Sequence, residues 1–206
     1  MLRDDQPGIV WREAAREASV EQATDQRERA DRFRSLFGDE STFRAWYDAA
    51  LPRIFGYLFE RCGAVRTVAE ELTQETFIEA VRVRDRFDGR SDEMTWLVAI
   101  ARHKLADHYR RLAREERRHL RLIAGRGDET TEDPWRSVEA QHEVLEALAR
   151  LPAMQRAVLI LHYMDDLPVA EIGRELGKSE GAIESLMSRG REGFRQFLQT
   201  SEVDDG

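Results

Sequence analysis

The segment from Pro168 to Arg189 constrains the fold of this chain more than any other part of the sequence. Apolar residues recur with helical spacing on both sides of a glycine, which predicts a helix-turn-helix. Gly177 can adopt the left-handed conformation that ends the first helix, and Ser179 is a good N-cap for the second. A helix-turn-helix presents its second helix to the major groove of DNA. The segment therefore favours DNA binding over an ordinary helical hairpin, the other interpretation of the pattern.

The same spacing predicts which residues of the two helices face inward. Pro168 suits the first helical position, because the N–H that proline lacks would be unpaired there in any case. The predicted inward residues are Ile172, Leu176, Ile183, Leu186 and Met187. The remaining positions of the second helix are then free to face DNA.

The charge of the chain argues against a protein that holds DNA tightly alone. The net charge is −8, whereas phosphate contacts usually give duplex-binding proteins a strongly basic balance. Positive charge is concentrated in residues 102–121, which carry eight Lys and Arg residues against three acidic ones. We infer that a partner supplies the missing affinity.

Length and composition indicate a helical protein with small cores. The 206 residues suffice for two small domains, and 41% hydrophobic with 35% charged residues is typical of a soluble protein. No apolar run approaches the ~18 residues of a membrane span, and the N-terminus lacks the apolar core of a secretory signal. The single cysteine, Cys62, excludes an internal disulfide and is consistent with the reducing cytoplasm, where we expect the protein to act.

Apolar periodicity divides the chain into two small helical domains, so the expected fold class is all-α. The first domain carries three predicted helices: one from Ser41, one opened by a capping box at Thr67 and Glu70, and one from Ser91 or Asp92. The N-terminal extension forms either an amphipathic helix or a disordered segment. The predicted divisions are the extension over 1–40, the first domain over 41–112, a flexible acidic linker over 113–137, the second domain over 138–198 and a tail over 199–206.

Enzymatic chemistry has no visible basis in the sequence. No Ser/His/Asp or Cys/His arrangement and no glycine-rich phosphate loop is present. The nearest metal candidates, His103, Asp107, His108 and His119, include no cysteine and no compact histidine pair. We therefore expect no catalytic residue, no metal site and no cofactor.

Six short segments resemble the text of a known family. In the first domain they are Ala69–Phe77 (AEELTQETF) and Trp96–Arg111 (WLVAIARHKLADHYRR). In the second domain they are Leu148–Pro152, Arg156–Leu159, Glu171–Gly177 and Gly181–Ser185. Each is a weak signal alone, but their order and spacing together are a strong one. The chain is similar to bacterial sigma factors of the extracytoplasmic-function (ECF) type, members of the sigma-70 family that carry only its regions 2 and 4.

The resemblance implies that core RNA polymerase is the missing partner and that the holoenzyme engages the promoter. The residues expected against the clamp helices of the largest subunit are Glu71, Leu72, Gln74, Glu75 and Phe77. Leu72 or Phe77 is the expected apolar anchor beside an exposed acidic face. Region 4 is expected to contact the flap of the second largest subunit. By pattern alone, the acidic segment is an ordinary amphipathic helix with a solvated face.

Region 2 of the family captures a base of the −10 promoter element, which calls for aromatic stacking and for cations along the phosphates. The loop over 84–90 and the helix that follows it take this position here. By position, the candidates are Phe87, Asp88, His103, Lys104, Asp107, Arg110 and Arg111. Many relatives carry Asn in place of His103, so the identity of the captured base stays open. Trp96 is interpreted as a core residue in preference to a base contact.

Region 4 of the family reads the −35 element with its helix-turn-helix. The candidates are Arg174, Lys178, Ser179, Glu180, Ala182, Glu184, Ser185, Arg189 and Arg191. Base contacts are expected from the middle of this set, from Glu180, Ala182, Glu184 and Ser185, and phosphate contacts from the Arg and Lys residues. Relatives often carry a basic residue in place of Glu184, but a glutamate can accept from the cytosine amino group and so can still specify sequence.

The remaining expectations concern regulation and the alternative functions. The linker acids Asp128, Glu129, Glu132 and Asp133 are either a solvated spacer or, by family analogy, a complement to positively charged polymerase channels. An anti-sigma factor is an expected partner, since family members are commonly held inactive by one. We hypothesise that residues 1–40 mask the DNA-binding face or contact polymerase. The alternative function is a stand-alone helix-turn-helix regulator, and an anti-sigma decoy is a third.

Overall fold

In a computed structural model, residues 7–123 and 143–204 are described, and they are helical with no strand. The predicted all-α class is confirmed for these residues. The helices are α1 (Pro7–Leu36), α2 (Glu40–Arg61), α3 (Arg66–Val83), α4 (Glu93–Ile123), α5 (Glu143–Ala149), α6 (Ala153–Tyr163), α7 (Val169–Leu176) and α8 (Glu180–Asp204), with a 3₁₀ turn at Arg84–Arg86. None of the helices in these two ranges is both long enough and apolar enough to cross a membrane.

Helices α2, α3 and α4 form the N-terminal bundle. Their shared core consists of Ile54, Leu58, Leu72, Leu97 and Leu105, all at most 1% exposed. Asp39 starts α2 by accepting from the backbone N–H of Thr42 at 2.7 Å. Hydrogen bonds from Ser41 and Thr42 hold the pKa of Asp39 down at about 2. Asp92 caps α4 in the same way, accepting from the Thr95 N–H at 2.8 Å, so two of the three bundle helices begin at an aspartate N-cap.

The start of α3 differs from the prediction. The helix begins at Arg66, one residue before Thr67, and its N-cap Val65 makes no side-chain capping bond. Glu70 instead pairs with Arg66, with Nε and Oε1 2.8 Å apart. The capping-box prediction is wrong because this i,i+4 ion pair takes the glutamate that the box required.

Helix α4 is longer than the sequence predicted. The linker was expected from residue 113, but α4 continues to Ile123. Ala113 is 4% exposed, and the Glu116 carboxylate accepts from the Ala153 backbone N–H at 2.9 and 3.1 Å. That carboxylate caps the start of α6, where Pro152 offers no capping side chain. The acidic linker residues 128–133 lie outside the described residues.

Helices α5 to α8 form the C-terminal bundle, and α7 and α8 are the predicted helix-turn-helix. Gly177 adopts the left-handed conformation at φ +63°, and the Ser179 hydroxyl accepts from the Ala182 N–H at 3.4 Å. The predicted inward residues Ile172, Leu176, Ile183 and Met187 are buried, and Leu186 is half-buried. Pro168 is the N-cap of α7 instead of its first residue. The expected tail is helical as far as Asp204.

The turn between α7 and α8 requires a close backbone approach. A Cβ on Gly173 would lie 2.8 Å from the carbonyl oxygen of Lys178. That carbonyl cannot move without disturbing the turn, because the Lys178 N–H donates back to the Gly173 carbonyl at 2.8 Å. Gly173 therefore sets the separation of the two helices.

The N-terminal extension forms the helix α1 over its described part. Its C-terminal end packs on α2 and on the 3₁₀ turn. There Ala30 and Phe33 are buried with Phe87 in a small aromatic cluster that is separate from the main core.

Candidate nucleic-acid and polymerase interfaces

The basic helix α4 carries its candidate residues in two environments. His103 is 61% exposed, with Nδ1 3.2 Å from Oε2 of Glu175. Lys104 is largely covered, with Nζ 3.6 Å from Oε2 of Glu79. Two of the predicted −10 contacts are thus paired with carboxylates, one of them from the helix-turn-helix.

Two turns further along α4, the remaining basic candidates are partly exposed. Arg110 pairs with Asp107 on the same helix. Arg111 is half-exposed and lies 4.0 Å from Glu71 on α3. Exposed ion pairs contribute little and exchange readily, and a phosphate contact by either guanidinium stays a prediction.

The loop between α3 and α4 presents only part of its predicted site. Asp88 and Arg90 are exposed, with Oδ2 and Nε 3.2 Å apart. Phe87 is 1% exposed and stacks against Phe33 at 4.7 Å between ring centroids. The prediction that Phe87 contacts a base is therefore wrong for this arrangement, because the N-terminal helix covers the ring. Trp96 packs in the same cluster, 5.2 Å from Phe33, in line with its interpretation as a core residue.

The outer face of the helix-turn-helix is accessible. The exposed candidates are Arg174, Ser179, Glu180, Glu184, Ser185, Arg189 and Arg191, while Lys178 and Ala182 are half-exposed. Glu180 and Glu184 are one helical turn apart on α8, the first of them at its N-terminal residue. Arg191 lies further along α8 and lines an apolar groove. Base recognition by these residues stays a prediction.

The acidic face of α3 is exposed as predicted, but the two apolar residues expected beside it are buried. Glu71 and Gln74 are exposed and Glu75 is half-exposed. Leu72 and Phe77 are 1% and 5% exposed, so neither can serve as the apolar anchor for a partner. They belong to the core because they lie on the opposite face of α3.

The sequence interpretation missed Ile78. This side chain is 68% exposed, which is unusual for isoleucine. Ile78 follows Gln74 by four residues and Glu71 by seven, so all three lie on one face of α3. The signal was present in the sequence, since Ile78 falls outside the apolar stripe that buries Leu72 and Phe77.

A second missed surface is an apolar groove of about 410 Å³ in the C-terminal bundle. Its lining includes Val144, Leu148, Leu159, Ile160, Tyr163 and Phe194. Val144 and Tyr163 are 53% and 63% exposed. Helix α6 is apolar on almost all sides, and a helix of this composition is usually buried on all sides. This composition predicts that a partner covers the face of α6 that lines the groove.

The two bundles contact each other through α4, which packs on α6 and α7. Arg61 Nε lies 2.7 Å from Oδ1 of Asp165, and both side chains are nearly buried. The Tyr57 hydroxyl donates to Oδ2 of Asp165 at 2.9 Å. Burial, and then the charge of Asp165, raise the pKa of Tyr57 far above its ordinary value. We call this set of contacts the closed arrangement.

A helix-turn-helix beside a bundle with a basic helix defines a class, the two-domain DNA-binding transcription proteins. The sequence matches the family models "Sigma-70 region 2" over residues 46–115 and "Sigma-70, region 4" over residues 141–192. The chain belongs to the sigma-70 family and, within it, to the ECF RNA polymerase sigma factors.

Three curated relatives are similar to the chain. The chain is 35% identical over 160 residues to "ECF RNA polymerase sigma factor BldN" of Streptomyces coelicolor, which covers 76% of this chain and 60% of that protein. It is 35% identical over 140 residues to SigC of Mycobacterium tuberculosis, covering 66% and 72% of the two chains. It is 29% identical over 170 residues to SigX of Bacillus subtilis, covering 78% and 85%.

Among solved structures, the chain is similar to the sigma factor RpoE in complex with the anti-sigma factor NepR from Bartonella quintana. The sequence identity is 23% and the TM-score is 0.48, over 76% of this chain and 96% of that one. The N-terminal bundle is called region 2 and the C-terminal bundle region 4 from here on.

Proposed function

We propose that this protein binds core RNA polymerase and directs it to specific promoters, opening the −10 element with region 2 and reading the −35 element with region 4. The observation that carries the proposal is the separation of faces. The accessible helix-turn-helix is on α7 and α8, the exposed basic residues are on α4, and the acidic face with Ile78 is on α3. The proposed place of action is the cytoplasm, where RNA polymerase works.

The polymerase contact of region 2 is proposed to be Glu71, Gln74, Glu75 and Ile78. An apolar side chain surrounded by acidic and amide groups is the usual anatomy of an energetic anchor in a protein interface. Ile78 replaces Leu72 and Phe77 in this role because only Ile78 is exposed.

The contact of region 4 with polymerase is proposed to be the apolar groove beside Tyr163 and Phe194. Its lining, which includes Arg191 and Arg195, is almost entirely apolar, and this suits the apolar side of a helix or loop tip. This is the expected location for the flap of the second largest subunit. An anti-sigma factor as a further partner stays a prediction.

Promoter binding is proposed to require separation of the two regions. The −10 and −35 elements lie about 25 base pairs apart, or about 85 Å at ~3.4 Å per base pair. In the closed arrangement, Glu175 on α7 is within 3.5 Å of both Arg102 and His103 on α4. The two recognition surfaces then share one contact, so one molecule in this arrangement cannot reach both elements.

Run-off transcription tests the proposal. Purified core polymerase is assayed with and without this protein over promoter fragments from the source genome. Transcripts that appear only with the protein support the proposal, and alignment of their upstream sequences identifies both elements. Binding of the same duplexes by the free protein, without any transcript, would favour the stand-alone regulator.

Paired variants test the division of faces. Gln74→Ala with Glu75→Ala, or Ile78→Ala alone, should weaken core polymerase binding. Leu120→Ala is the matched control for Ile78, since Leu120 is 65% exposed on a different helix. Arg110→Ala with Arg111→Ala should weaken promoter opening and leave core binding intact. Equal damage to one step by both sets would contradict the assignment.

A further inference from the structure

The N-terminal helix α1 ends against the loop that is proposed to capture the −10 element. Phe33 of α1 is 0% exposed and contacts Phe87 at 4.7 Å between ring centroids. It also meets Trp96 at 5.2 Å and Trp46 at 5.7 Å. Phe33 thus joins α1 to the loop, to α4 and to α2.

The backbone of the loop lies directly on the backbone of α1. Gly89 has φ +73°, and a Cβ at this position would lie 2.0 Å from the Gln26 carbonyl oxygen and 3.2 Å from the Ala30 nitrogen. Only glycine satisfies both the positive φ and this close approach. One guanidinium nitrogen of Arg34 donates to the Phe87 carbonyl at 3.4 Å.

The contacts with α1 decide which loop residues face solvent. Phe87 and Gly89 are buried against α1, whereas Asp88 and Arg90 between and after them are exposed. The Arg90 N–H donates to Oδ1 of Asp88 at 3.1 Å, which closes the outer side of the loop. With α1 docked, the loop displays Asp88 and Arg90, beside the exposed Asp85 and Arg86 of the 3₁₀ turn.

We propose that α1 is a positioning element for promoter recognition: through Phe33 and the Gly89 contact it holds the loop over residues 84–92 in the conformation that captures a single-stranded base. This inference rests on the proposed function of region 2. A loop that is only partly in its competent conformation binds more weakly in proportion to that fraction, so docked α1 raises affinity for the base.

The opposite role, in which α1 masks the loop until it is displaced, fits the contacts less well. Displacement would expose Phe33 and Phe87 together, which are both at most 1% exposed. Phe33, Phe87, Trp46 and Trp96 pack edge-on or tilted at 4.7 to 5.7 Å, as in a permanent core. The test distinguishes the two roles, because masking predicts that loss of Phe33 strengthens binding of the fork DNA, whereas positioning predicts that it weakens binding.

The test uses holoenzyme formed from core polymerase and the full chain. The probe is a labelled fork DNA that carries the −10 sequence mapped by the run-off assay. It is used in two forms, one with an intact single strand and one in which a single −10 base is removed to leave an abasic position. Phe33→Ala and Gly89→Ala should each weaken binding of the intact fork by roughly tenfold, the factor for a loop competent about a tenth of the time. Binding of the fork that lacks the captured base should change little, so base discrimination falls.

Three controls separate positioning from loss of folding. Gly56→Ala is the matched glycine substitution, since a Cβ at Gly56 meets nothing within 4 Å, and it should behave as wild type. Phe33→Leu keeps an apolar side chain in the cluster and should restore most of the discrimination lost in Phe33→Ala. Core polymerase affinity and −35 duplex binding should be unchanged in every variant.

Each result decides the inference. Equal loss on intact and abasic forks, or unchanged discrimination, would reduce α1 to a stabilising helix and overturn the inference. Tighter binding of the intact fork by Phe33→Ala would show that α1 masks the loop. Failure of wild-type holoenzyme to bind any fork or produce any transcript would instead overturn the proposed function itself.

Discussion

The ion pair between Arg61 and Asp165 joins residues 104 positions apart and holds regions 2 and 4 in the closed arrangement. Arg61 and Asp165 side chains are 11% and 6% exposed, with Nε and Oδ1 2.7 Å apart. Asp165→Asn keeps the shape of the side chain and removes its charge. The nearly buried guanidinium of Arg61 then keeps only one carboxylate partner, the exposed Glu60, whose Oε2 lies 3.5 Å from Nη1.

The expected magnitude follows from that burial. Removing one partner of a buried ion pair costs about 3–5 kcal/mol. Arg61 keeps its hydrogen bonds to the carbonyl oxygens of Tyr57 and Met164, and asparagine can still accept one, which favours the lower end of that range. A cost of about 3 kcal/mol moves the equilibrium between closed and separated regions roughly a hundredfold toward separation.

Because core polymerase is proposed to bind the separated form, Asp165→Asn should expand the free protein and tighten core binding by up to roughly a hundredfold. Small-angle scattering measures the radius of gyration, and fluorescence anisotropy measures core affinity. Asp166→Asn is the matched control. Asp166 is the next residue, its side chain is exposed, and asparagine tolerates the φ of +52° at this position. If Asp165→Asn leaves both size and affinity unchanged, the ion pair does not control the arrangement.

Three further predictions concern folding and local chemistry. Cys62 is fully buried, and burial raises the pKa of its thiol to about 12. A thiol reagent at neutral pH should therefore label Cys62 only in denaturant. Rapid labelling of the native protein would contradict this prediction. The Asp39 carboxyl has its pKa lowered from 3.8 to about 2, so its stabilising effect is present above the higher value and lost as pH falls through the lower. Asp39→Ala should therefore lower Tm at pH 7 more than near pH 2, and an equal drop at both would refute the cap. Glu116→Ala should lower the free energy of unfolding in urea by about 1 kcal/mol, because the Ala153 N–H loses its cap. The exposed neighbour Glu115→Ala should not.

Local rules were sufficient to predict the helix-turn-helix. A glycine ends α7 in the left-handed conformation and a serine caps α8, and both effects act within four residues of the backbone concerned. The 3.6-residue spacing likewise predicted that Ile172 and Ile183 are buried. The same local rules failed at Thr67, where a nearby arginine competed for the glutamate of the expected capping box.

The candidate site was predicted in part. Spacing identified α3 as amphipathic, but the interpretation assigned Leu72 and Phe77 to a partner although they form the core, and overlooked Ile78. Phe87 was predicted to contact a base because of its position in the loop that the family uses at the −10 element. The ring is covered by Phe33, which lies 54 residues earlier in the chain. A contact over that distance cannot be predicted from local sequence patterns.

By itself, the sequence determined the all-α class, the helix-turn-helix and, through the order and spacing of its motifs, the family. These properties follow from backbone conformation and side-chain periodicity, which depend on residues a few positions apart. Only the tertiary structure decided the length of α4, the helical extension over the −10 loop and the Arg61–Asp165 contact between regions. Each of these depends on packing between residues 37 to 104 positions apart. Pairings at that distance are chosen by shape and burial in the assembled core, and a linear pattern carries no record of them.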